Sequence, residues 1–98
     1  MNIYALKNPE PDSESFTTLY QTNTLKIEAI KSYLLVPGEI YHQEENEWVV
    51  LLKGSAQLRI ENKTMDLKEG DFLFLAKHTV HQVLSTSKDA LWLGVFSS

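Results

Sequence analysis

The chain has 98 residues, no cysteine, and 13 acidic against nine basic residues, for a formal net charge of −4. A chain of this length forms one small domain that buries roughly 60 to 65% of its unfolded surface, and the lack of cysteine excludes disulfide scaffolds, thiolate metal sites and cysteine nucleophiles. The Lys and Arg residues are scattered rather than clustered, so nucleic acid is excluded as a partner too.

In chain order, MNIYALKNPEPDSES meets charge and proline before any long apolar run. No signal-type segment or membrane anchor is expected, no membrane partner follows, and the expected location is the cytoplasm. Ile3 to Leu6 reads as a short strand, detached by Asn8-Pro9 and free to exchange with a second copy. Lys7 to Ser15 reads as a loop, so residues 1–15 form a loosely held arm and residues 16–98 a single β domain. Leu25, Ile27 and Ala29 alternate with Lys26 and Glu28, in a strand expected to run through Tyr33 to Val36 before Pro37-Gly38 ends it.

Ala56, Leu58 and Ile60 alternate with Gln57, Arg59 and Glu61, and Met65 and Leu67 with Thr64, Asp66 and Lys68. The two runs form a hairpin turning at Asn62-Lys63. Asn62-Lys63-Thr64 matches a glycosylation acceptor, but a turn is the simpler reading. Trp48 to Leu52, Phe72 to Leu75 and Leu91 to Phe96 are apolar on both faces, a pattern that requires both faces to be covered. One face fits a barrel interior, the other a second sheet or another subunit, so a symmetric homodimer is expected. Frequent turn signals favour a sandwich or barrel over βαβ units.

Two stretches carry the chemistry. In PGEIYHQEENEWVVLLKG, Glu47-x6-Gly54 opens an apolar strand with a carboxylate. In GDFLFLAKHTVH and the residues after it, the spacing is Gly70-x5-Ala76-x-His78-x2-His81-x3-Ser85. Together they resemble the two motifs of the cupin superfamily, G-x5-H-x-H-x3,4-E-x6-G and G-x5-P-x-G-x2-H-x3-N. EWVVLLKG, GDFLFLAKHTVH and LWLGVF resemble a subgroup of small single-domain cupins of largely unassigned activity. The resemblance implies an all-β fold, the double-stranded β-helix or jelly-roll barrel.

It also implies a metal site, from which this sequence departs. Glu47 and His81 keep ligand positions, whereas the first motif's histidine pair falls on Tyr41 and Gln43 or, with a longer gap, on Ile40 and His42. Ala76, His78 and Ser85 replace proline, glycine and asparagine in the second motif. A neutral imidazole and a carboxylate suit Fe, Mn, Ni or Zn, and a two-histidine, one-carboxylate set suits an oxygen-handling iron. The candidate metal ligands are therefore Glu47 and His81, completed by His42, His78 or Gln43, with Tyr41 and Trp48 as pocket residues.

Residues two apart share a strand face, so an inward Tyr41 and Gln43 would leave His42 outside. Each candidate also has a plainer reading: His81 as a partly buried histidine beside Glu47, His78 as an exposed loop residue, His42 and the run Glu44 to Glu47 as a solvated acidic edge, and Trp48 and Trp92 as core or interface aromatics. Two functions stay open. One is a small metal-binding cupin acting on a small organic molecule, with oxygenase or isomerase chemistry within reach. The other is a metal-free cupin that binds a small-molecule ligand or assembles with its own kind. No Gly-x-Ser-x-Gly elbow or phosphate-cradling loop supports nucleophilic or nucleotide chemistry, while metal-free acid–base chemistry by Glu47 and His81 is open.

Overall fold

In the computed structural model all 98 residues are described. Nine strands carry the fold: β1 (Ser13–Gln21), β2 (Leu25–Tyr33), β3 (Ile40–Tyr41), β4 (Asn46–Lys53), β5 (Ala56–Ile60), β6 (Lys63–Leu67), β7 (Phe72–Leu75), β8 (His81–Thr86) and β9 (Ala90–Ser97). They form two antiparallel sheets, five-stranded β1-β2-β9-β4-β7 and four-stranded β3-β8-β5-β6. Sequence neighbours are often not sheet neighbours, as β9 lies between β2 and β4, and this crossing back and forth makes a jelly roll. The all-β expectation is met.

The core fills the space between the sheets. Ile30, Val49, Leu51, Trp92 and Phe96 from the larger sheet pack on Ala56, Leu58 and Leu67 from the smaller one. Strand periodicity explains the selection: on β4, Glu47, Val49 and Leu51 point inward, and the residues between them point out. The Gly-Asp turn before β7 fixes that strand against β4. Gly70 has φ +90°, a conformation open to glycine, the Asp71 carboxylate accepts from Lys68 N–H at 2.9 Å, and Leu51 N–H donates to Asp71 O at 2.9 Å. Just past the same end of β4, Gly54 has φ +88°, and a Cβ there would collide with Ser87 Oγ.

Several local expectations are corrected. Ile3–Ala5 is a turn of 3-10 helix capped by the Asn2 side chain, which accepts from Tyr4 N–H, not a strand. Strand β1 begins at Ser13 and pairs with β2 along its length, so the stretch read as loop already belongs to the sheet at Ser13 to Ser15. The second strand stops at Tyr33, where Leu35 and Val36 donate instead to the Asp12 side chain. The hairpin turns at Glu61-Asn62, one residue early, because Ile60 pairs with Lys63 and Glu61 takes φ +54°.

Candidate functional site

Between the sheets lies a cavity of about 90 Å³ whose lining combines an apolar body with a few convergent polar groups. Val49, Leu58, Leu75, Val83, Trp92 and Phe96 form much of the body, while Tyr41, Gln43, Glu47 and His81 supply one polar wall. Each polar residue is placed by its strand. Glu47 is the inward residue at the start of β4, opposite Leu75 of β7 and Phe96 of β9. His81 opens β8 and pairs with Tyr41 of β3. Gln43 follows two residues after Tyr41 and shares its inward direction, which leaves His42 exposed.

The geometry fixes the roles of these groups. His81 Nδ1 lies 3.1 Å from Thr79 O, a carbonyl that can only accept, so Nδ1 carries a hydrogen and Nε2 faces the cavity wall. Nε2 stands 3.6 Å from Glu47 Oε1, too far for a hydrogen bond and close enough for strong electrostatic coupling. Gln43 Nε2 donates to the same carboxylate oxygen at 2.9 Å. The Tyr41 and His81 rings stack with centroids 5.5 Å apart and 25° between planes. Glu47 and His81 are only 7% and 6% exposed, so water does little to screen one from the other. Burial pushes the Glu47 carboxyl above its ordinary range, an effect the Gln43 bond and the His81 charge oppose. Burial likewise raises the Tyr41 hydroxyl, helped by the nearby carboxylates of Glu14, Glu39 and Glu47.

The remaining candidates lie elsewhere. His78 is exposed in the loop before β8, with φ +68°, and faces Glu44 at 3.7 Å. Its backbone N–H, not its ring, serves the site by donating to Gln43 O at 2.8 Å and so holding the Gln43 loop. Trp48 is corrected outright as a pocket residue: one step along β4 from Glu47, it points to the opposite face of the sheet, 45% exposed and stacked on Phe72 at 5.1 Å. Sequence reasoning missed Glu14, which lines the cavity from β1 together with Phe16. The alternation of Glu14, Phe16 and Thr18 ahead of the Thr22 to Thr24 turn was the signal available.

These residues do not fit a resident divalent metal. No three His, Cys, Asp or Glu side chains converge anywhere in the chain. Where a second imidazole would stand, Gln43 directs its amide nitrogen, a donor rather than a ligand atom, at Glu47. The site offers one imidazole nitrogen and one carboxylate.

A match to the cupin domain family spans residues 34–96, from the loop after β2 to the end of β9. The chain belongs to the cupin domain family. An uncharacterized protein of Aquifex aeolicus (strain VF5) is 39% identical over 57 residues, covering 58% of this chain and 47% of that protein, so the match spans about half of that curated relative. Among solved structures, a mannose-6-phosphate isomerase-like protein from Ralstonia eutropha JMP134 superposes with a TM-score of 0.86 at 28% identity, covering 100% of this chain and 96% of the other. KdgF from Halomonas sp. superposes with a TM-score of 0.79 at 21% identity, covering 93% and 84%, a likeness of fold alone. No helix is long and apolar enough to cross a membrane.

Proposed function

We propose that this cupin binds a small organic molecule in the cavity between its sheets and holds the ligand's polar group on Glu47 and His81 without a metal ion. The observation that carries this reading is the convergence of Glu47, His81, Gln43 and Tyr41 on one wall of an otherwise apolar cavity. A ligand amine set between Glu47 Oε1 and His81 Nε2 would donate to both across their 3.6 Å gap. With its hydrogen on Nδ1, His81 presents Nε2 as an acceptor beside the Glu47 carboxylate, so taking a proton from the bound molecule is within the pair's means. At roughly 10–15 Å³ per water-sized occupant, the cavity suits a ligand of about six to nine non-hydrogen atoms. A phosphorylated sugar, the class named by the Ralstonia relative, would find no Lys or Arg among the lining residues.

The test is a small-metabolite panel added in EDTA to ¹⁵N-labelled protein. The reading predicts shifts confined to Tyr41, Gln43, Glu47, His81 and their neighbours, lost in His81→Ala. A panel that moves none of these signals would contradict it.

We propose also that the outer face of the larger sheet joins a second copy. Trp48, Val50, Phe72, Phe74, Leu93 and Val95 share that face through the registers of β4 with β7 and β9, and Trp48, Phe72 and Phe74 are 45%, 61% and 60% exposed. A charge-free aromatic patch on the face that does not line the cavity favours a symmetric, self-complementary contact. Sedimentation should give a dimer at micromolar concentration, and a monomer there would overturn this assignment.

A further inference from the structure

A second carboxylate lines the cavity. Glu14 reaches it from β1, the edge strand of the larger sheet, and its Oε2 accepts from Ser32 Oγ at 2.5 Å. Ser32, fully buried, in turn accepts from the Trp92 indole N–H at 3.1 Å. This chain from Trp92 through Ser32 pins the carboxylate by one oxygen and leaves Oε1 without a protein partner among the hydrogen bonds of the site.

The charges around the cavity can be paired off. Glu47 faces His81 at 3.6 Å and takes the Gln43 bond. Glu28, buried on β2, is paired with Lys26 at 3.5 Å, and the Lys26 ammonium lies 5.0 Å from the Phe96 ring centroid. Glu14 has a hydroxyl and no cation. Every other residue lining the cavity is neutral, and four are aromatic: Phe16, Tyr41, Trp92 and Phe96. A carboxylate, aromatic faces and an apolar body are the elements that recognise an organic ammonium group, through a charge-assisted hydrogen bond and cation–π attraction. An anionic ligand would meet only repulsion from the Glu14 side.

We propose that the ligand class of this cavity is a compact organic cation that carries, beside the polar group held on Glu47 and His81, a primary or secondary ammonium group on Glu14 Oε1, with its small apolar body against Trp92 and Phe96. The inference rests on the binding reading above and adds the sign of the ligand's charge. Ser32 is a positioning residue in this arrangement: it holds Glu14 and does not meet the ligand.

Three probes of one shape and different charge separate the two claims: benzylamine, benzyl alcohol and benzoate, each titrated at neutral pH into ¹⁵N-labelled wild-type protein and into Glu14→Gln. Benzylamine should shift the signals of the cavity strands and bind about tenfold or more tightly than benzyl alcohol, with benzoate weakest. Glu14→Gln should bring the amine down to the level of the alcohol while leaving the alcohol unchanged. Equal binding of all three probes to the wild type would overturn the cation preference and leave the pocket reading standing. No shift in the cavity with any probe would overturn both. The wild-type ranking keeps the proposal falsifiable if Glu14→Gln fails to fold, and Ser32→Ala, which frees Glu14 without removing its charge, should weaken the amine alone.

Discussion

Strand β4 presents two faces that differ in what they meet. Inward, Glu47, Val49 and Leu51 are each at most 7% exposed, the first two lining the cavity and Leu51 packed in the core, whereas outward Trp48 stands 45% exposed beside Phe72 and Phe74. Neighbouring residues on one strand thus have separate surroundings, with core and the proposed binding cavity on one side and the proposed association surface on the other. Hydrophobicity along β4 says that both faces need cover, and only the position of the partner sheet decides which face receives it within the chain.

Substitutions on the two faces should therefore fail in different ways. The largest effect is expected inside: Leu51→Ala, at a position with no exposure, should cost about 2–5 kcal/mol by urea denaturation of the cooperative unit. A loss well under 1 kcal/mol would mean that the core is not packed as described. Outside, Trp48→Glu should shift the species seen by sedimentation from dimer to monomer, a loss of about 2 kcal/mol or more in association, while the monomer keeps its far-UV circular dichroism. Unfolding on this substitution would make Trp48 a core residue rather than an interface one.

The smallest effect concerns pH. Burial raises the Glu47 carboxyl above its ordinary 4.5, so the folded state holds that proton to higher pH than the unfolded chain does. The stabilisation is complete below 4.5 and is lost as pH rises through the raised value. Glu14, also raised by burial, acts in the same direction. The melting temperature should fall across this range, and Glu47→Gln should flatten the slope without abolishing it. An unchanged slope would remove Glu47 as a contributor.

The fold was legible because its signals are local. The alternation in Ala56 to Ile60 and in Met65 to Leu67 needs only a neighbouring strand to make sense, and the Gly70-Asp71 turn carries its own conformational and hydrogen-bonding reasons. The site was legible in part. Glu47 and His81 were found from spacing, and strand parity offered Gln43 with His42 excluded as one of two arrangements, the one that the structure adopts. What stayed hidden depends on distant pairing. Glu14 reaches the cavity because β1 lies in register with β2, Glu14 opposite Ser32, and that register closes across 18 positions of sequence. His78 was a candidate ligand with an exposed-loop reading beside it, and the structure gives the exposed one, with a left-handed backbone at +68° and the ring facing Glu44. Trp48 was misplaced because its neighbour Glu47 lies in the pocket, and one residue along a strand is the other face of the sheet.

The most direct test of the central claim is metal analysis of untagged protein, purified without chelator and then equilibrated with stoichiometric Fe(II), Mn(II), Ni(II) and Zn(II) in turn, for wild type and His81→Ala. One imidazole and one carboxylate at the site predict substoichiometric metal after gel filtration, the same in both proteins. One equivalent of metal retained by the wild type and lost in His81→Ala would contradict it.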